Sequence, residues 1–136
     1  MTHAPRTNSE TAIIWVLRIL ACIAILAGAA GLVLGPVTGP GLQSITVSTD
    51  SEYRFLSGIW LATGLVLWWS SQSPRDRAAH TRVVLLTIIA GGVGRAISLI
   101  VAGYPEPYFL AALCIELLGV PLVLYWHKKT WTDASR

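Results

Sequence analysis

The sequence has little charge. Only 12% of its 136 residues are Asp, Glu, Lys or Arg, against roughly 25% in an ordinary globular domain. Too few charged side chains remain to coat a water-facing surface, which excludes a soluble domain although the length suits one. Cysteine is scarce too: Cys22 and Cys114 each lie deep in an apolar run, with no C-x-x-C pair and no cysteine–histidine spacing. A structural metal site or a disulfide framework has nothing to build on, and both read as small packing residues. Also missing are a glycine-rich phosphate loop, a nucleophile elbow and an H-E-x-x-H pair. Gly91-Gly92-Val93-Gly94 lacks the spacing and the strand–helix context of a dinucleotide site. No metal, cofactor or catalytic residue is expected, and nothing argues for an enzyme. The net charge of +3 does not indicate nucleic acid. The basic residues border or interrupt apolar runs and form no stripe interleaved with aromatics.

Apolar residues make up 54% of the chain, gathered in runs at Ala12 to Leu34, Tyr53 to Trp69, Val83 to Ala102 and Tyr108 to Trp126. A bilayer core about 30 Å thick needs roughly 20 helical residues to cross it. The first run exceeds the roughly 7–15 residues of a signal-peptide core, contains Arg18 and lacks a cleavage site, so it reads as a retained helix. Arg18 is close enough to the inner boundary to snorkel. The expected architecture is all-α: an integral membrane four-helix bundle forming a single transmembrane domain over residues 1–136. Its helices lie near 12–34, 50–71, 82–102 and 107–127, with an outer loop over 35–49.

Orientation follows from the loops, because cytoplasmic segments collect Lys and Arg. With the N-terminus inside, Arg6, Arg75, Arg77, Arg82, Lys128, Lys129 and Arg136 are all cytoplasmic and the two outer loops hold no basic residue. Trp68, Trp69, Trp126 and Trp131 fall toward the same boundary as interfacial anchors. Both termini are expected in the cytoplasm. In the outer loop, Gly35-Pro36 and Gly39-Pro40-Gly41 stop a helix. Leu42, Ile45 and Val47 suggest a segment lying along the membrane surface, and Thr49-x-x-Glu52 a capping box opening helix two. The short Gly103-to-Pro107 connection makes helices three and four antiparallel neighbours.

Charged residues inside spans are costly and mark function by default. Arg95 and Glu116 both lie roughly 10–12 Å below the outer boundary at 1.5 Å per residue, on adjacent helices, and are expected to meet. Thr87, Gly91, Arg95, Ser98 and Ala102 form one helical stripe, and Ala112, Glu116 and Gly119 another, with small residues allowing close approach. Glu52 and Arg54, at the outer end of helix two, are near enough in depth to join a four-member cluster, although Glu52 at a helix start also suits a purely capping role. Pro121 should kink helix four just below Glu116. His3, His80 and His127 share no spacing and read as surface residues. Gly31-x-x-x-Gly35 matches a short helix-dimer face.

Glu52-Tyr53-Arg54-Phe55 with Gly58 and Gly64, Gly91-Gly92-x-Gly94-Arg95 with Ser98, Gly103 and Pro105, and Glu116 with Pro121 together resemble the bacterial domain-of-unknown-function family 4345. The likeness runs from about Glu52 to Pro121 and helix one adds nothing to it. It implies a small four-helix protein of the bacterial inner membrane, without an assigned activity, and a polar core of Glu52, Tyr53, Arg54, Arg95, Ser98 and Glu116. The expected function is non-enzymatic: an accessory protein packed beside a larger membrane complex or in a homo-oligomer, or a holder of a lipid or small ligand at the Arg–Glu cluster. The alternative is a small transporter or proton-coupled carrier using Glu116 with Arg95. A quinone oxidoreductase would want paired cysteines or a ligating histidine.

Overall fold

In the computed structural model residues 7–38 and 45–132 are described, and every regular element among them is helical. The first helix, α1 (Asn8–Leu34), begins ahead of its apolar run because Thr7 and Glu10 close a capping box. The Glu10 N–H donates to Thr7 Oγ1 at 3.2 Å and the Thr7 N–H to Glu10 Oε2 at 2.9 Å, satisfying two of the donors that a helix start leaves open. The helix stops at Gly35, whose φ of 74° suits glycine, and a 3-10 turn follows over Gly35–Thr38.

Helix α2 (Val47–Gln72) is opened by Thr46, whose hydroxyl accepts the N–H of Thr49 at 3.1 Å. The Thr49–Glu52 capping box therefore does not form: Thr49 is itself the capped residue. Of the expected surface segment, Leu42 lies outside the described residues, and Val47 is already helical and exposed. Helix α3 (Ala78–Ala102) ends at Gly103 with φ 94°. The fourth helix comes in two pieces, α4 (Pro107–Cys114) and α5 (Val120–Thr132), joined by a π turn over Ile115–Gly119.

Just before Pro121 the helix widens into the π turn. Proline has no N–H and crowds the carbonyl four residues earlier. Here the Val120 N–H reaches back to the Ile115 carbonyl, inserting the extra residue that defines a π turn.

The helices run antiparallel, so α1 starts and α5 ends at the same end of the bundle, here termed the tail end; the end of α1, the start of α2 and the Gly103–Glu106 connection mark the loop end. Three helices, α1, α3 and the fourth, are long and apolar enough to cross a membrane. Helix α2 has the length, at 26 residues, but its Ser, Gly and Trp content makes it less apolar.

The core lies in the tail half. Leu17 and Ala21 of α1, Leu67 of α2, Leu85 of α3, and Val120 and Leu124 of α5 form its centre, and Ile13 and Ile14 pack on Trp131 below it. Trp131 is thus a buried packing residue rather than an interfacial anchor. His127 is also fully buried, 4.6 Å ring to ring from Trp131, which corrects its reading as a surface histidine. Polar ties fasten this end: Arg75 donates to Glu10 Oε1 at 2.7 Å, the Trp126 indole to Ser9 Oγ at 2.9 Å, and Thr81 to Ser70 at 2.9 Å. Arg18 lies over the Trp15 and Trp68 rings at 5.5 and 5.7 Å.

Toward the loop end the bundle separates into two pairs. Helices α1 and α2 stay in contact because Gly28 and Gly64 bring the backbones together. A Cβ at Gly64 would stand 2.8 Å from the Ile25 nitrogen, and one at Gly28 would collide with the Leu61 backbone. Gly31 faces Ser57 and Tyr53 of α2, and Gly35 faces Arg54; the Gly31-x-x-x-Gly35 face is used inside the chain and is not left open for a dimer. No Cα of α2 comes within 8 Å of one in α4 or the π turn, and no residue of α4 is buried.

Candidate functional site

Where α3 and the fourth helix approach each other toward the loop end, Arg95 meets Glu116. Arg95 Nε donates to Glu116 Oε1 at 3.2 Å. Oε2 lies slightly nearer, at 3.0 Å, but its alignment makes no hydrogen bond and it has no other partner among the described residues. Glu116 is 4% exposed, whereas the Arg95 side chain keeps 31% of its surface open. The carboxylate is thus enclosed and the guanidinium projects from it.

Two local features create this arrangement. Gly92, one turn before Arg95, supplies the close approach, since a Cβ there would stand 2.8 Å from Glu116 Cβ and 2.9 Å from Leu117 Cδ2. Gly91, the residue assigned to that face from periodicity, has nothing within 4 Å. Glu116 lies inside the π turn, and such turns recur at functional sites because they re-aim a side chain without ending the helix.

Beyond the guanidinium lies a cleft of about 240 Å³ lined by Arg95, Ser98, Leu99, Pro105, Phe109 and Leu113. The Arg95 Cζ stands over the Phe109 ring, 5.3 Å from its centre, a placement that favours the cation electrostatically. With Nε committed to Glu116, the two terminal nitrogens have no hydrogen-bond partner among the described residues.

Of the six residues expected in the polar core, the structure pairs Arg95 with Glu116, places Ser98 beside Arg95 in the cleft, and leaves Glu52, Tyr53 and Arg54 elsewhere. Arg54 Nε donates to Asp50 Oδ2 at 2.9 Å, and its Nη1 to the Leu32 and Val33 carbonyls at 2.8 and 3.0 Å. Those carbonyls end α1 and have no acceptor role within it, so Arg54 serves as a cap delivered from the neighbouring helix. Its acidic partner is Asp50, not Glu52, whose side chain is exposed. Tyr53 packs at Gly31, and its carbonyl accepts the Ser57 hydroxyl at 2.7 Å. The four-member cluster of Glu52, Arg54, Arg95 and Glu116 does not form.

His127 is the polar residue that the sequence reading missed. Both of its ring nitrogens are buried without a hydrogen-bond partner among the described residues. Its position was legible in principle, because Val120, Leu124, His127 and Trp131 follow the helical period and are all buried. Among the described residues no group of His, Cys, Asp and Glu is placed to hold a metal ion.

No curated protein and no solved structure matches the chain. Residues 12–127 match a family described as a domain of unknown function, DUF4345, so α1 is part of the matched region along with the stretch from Glu52 to Pro121; the chain belongs to that family.

Proposed function

We propose that the protein is a multi-pass protein of the bacterial inner membrane, with both termini cytoplasmic, that holds the polar group of a lipid or small ligand at Arg95 and Ser98, with Glu116 fixing Arg95 from behind, and performs no chemistry on it. Support for the bilayer comes from the surface. Large apolar side chains such as Leu26, Val33, Ile100, Val101 and Leu122 face outward, where water would penalise them and acyl chains would not. The tail end gathers Arg75, Arg77, Arg82, Lys128 and Lys129, which agrees with a cytoplasmic placement. On this reading α2 completes the set of four spans by packing against α1.

The observation that carries the ligand reading is a guanidinium with spare donors at the floor of a cleft, held there by an enclosed carboxylate. The test is purification from native membranes in mild detergent, with mass spectrometry of what remains bound, comparing wild type with folded Arg95→Ala and Glu116→Ala. A stoichiometric lipid or small molecule lost from both variants is the expected result. A wild-type protein that retains nothing would overturn the reading.

A second reading, a proton-coupled carrier, is favoured by one feature: Glu116 Oε2 is enclosed without a hydrogen-bond partner in a widened helical turn, and enclosed acids in spans serve as proton relays. It requires pH-driven solute uptake in proteoliposomes that Glu116→Gln abolishes.

A further inference from the structure

We infer that the cleft over Arg95 is a site for an oxyanion, a phosphate or carboxylate group entering from the loop end. The inference rests on the reading of this cleft as a ligand site and adds the chemistry of what it takes.

The donor inventory is one-sided. Arginine carries donors only, in a fork matching two oxygens of a planar or tetrahedral oxyanion. Nε is used by Glu116, leaving the terminal nitrogens for the cleft. Ser98, one turn further toward the loop end, lines the same cleft. In a helix a serine or threonine hydroxyl commonly bonds back to a carbonyl of the preceding turn, as Ser57 does to Tyr53 and Thr87 to Val83. Among the described residues the Ser98 hydroxyl makes no such bond, so a further donor is available beside the guanidinium.

The carboxylate decides the sign. Glu116 is enclosed behind Arg95 and does not line the cleft. A ligand therefore meets the positive end of the Arg95–Glu116 dipole and is shielded from the negative one. A cation would face the guanidinium first, which excludes it by like-charge repulsion. The remaining walls, Leu99, Phe109 and Leu113, are apolar and suit a hydrocarbon chain attached to the oxyanion. The same donors would also take a free phosphate ion, and the experiment separates the two sources.

The full-length protein is purified in phosphate-free dodecyl maltoside. Inorganic phosphate is titrated calorimetrically, and retention of phosphatidylglycerol is compared by native mass spectrometry with that of a neutral galactosyl diacylglycerol of the same chains. At least tenfold preference for phosphatidylglycerol, weakened about tenfold by Ser98→Ala and abolished by Arg95→Lys, supports the inference with a lipid source. Saturable phosphate binding with the same variant pattern and no lipid preference supports it with a free-ion source. Glu116→Gln, which keeps the shape and removes the opposing charge, is expected to tighten binding of the preferred probe about tenfold, or ~1.4 kcal/mol; a weakened affinity in that variant, if it folds, overturns the inference. Equal retention of both lipids, lost in Ser98→Ala, overturns the oxyanion while keeping the ligand site. No retention that depends on either Arg95 or Ser98 overturns the site as well. Ser98→Ala leaves the Arg95–Glu116 contact in place, so the comparison stands if Arg95→Lys fails to fold.

Discussion

Gly92 and Glu116 stand so close that no side chain fits between them, with 2.8 Å separating a Cβ built on Gly92 from the Cβ of Glu116. Adjacent in sequence, Gly91 meets nothing. The two glycines should therefore respond in opposite ways to a methyl group. Gly92→Ala forces α3 from the π turn, and overpacking of this kind costs about 1–3 kcal/mol. Gly91→Ala gains helix propensity, about 0.5–1 kcal/mol. Thermal unfolding of the two variants in one detergent gives the comparison, and equal behaviour would refute the close packing.

Arg95→Ala leaves an enclosed carboxylate without its counter-charge, a change that costs roughly 3–5 kcal/mol for buried pairs. Replacing both partners with apolar residues of similar shape, Arg95→Met with Glu116→Leu, is expected to restore most of that stability. Ligand retention should stay lost in the double variant. A double variant that both folds and retains the wild-type ligand would remove the cleft from consideration.

Arg54 and Glu52 should separate in the same assay. Arg54→Ala removes the cap on the α1 carbonyls and is expected to lower the unfolding temperature. Asp50→Asn, which loosens the partner that aims Arg54, should do so to a lesser degree. Glu52→Gln, with an exposed side chain, should be silent.

His127→Leu is expected to leave stability unchanged or to raise it by about 1 kcal/mol, because an enclosed polar group without hydrogen bonds is itself unfavourable. Marked destabilisation would show that the imidazole has a hydrogen-bond partner.

Orientation is open to cysteine labelling in a background where Cys22 and Cys114 are replaced by alanine. A charged maleimide added to intact spheroplasts should modify Tyr104→Cys and spare Asp76→Cys until the membrane is permeabilised. The reverse pattern would place the termini outside.

How much of this was legible beforehand differs by feature. That Arg95 and Glu116 share a level follows from residue counts along two antiparallel helices joined by a short connection. Depth alone misled for Glu52 and Arg54, because it says nothing about the direction a side chain takes around its helix axis. Arg54 turns toward the α1 carbonyls, whose unsatisfied acceptors appear in no sequence pattern. The helix-two cap was misplaced from Thr46 to Thr49 because both are threonines ahead of the apolar run and only backbone geometry distinguishes them.

The sequence by itself determined the all-helical chain, the apolar lengths of α1, α3 and the fourth helix, and the stops at Gly35 and Gly103, since these depend on local backbone chemistry and on runs of like residues. Only the tertiary structure decided that Gly92 and not Gly91 admits Glu116, that His127 is enclosed, and that α2 stays apart from α4. Each of those outcomes depends on the rotation of one helix about its axis against another, a quantity set by side-chain packing across the bundle and not by any residue's neighbours along the chain.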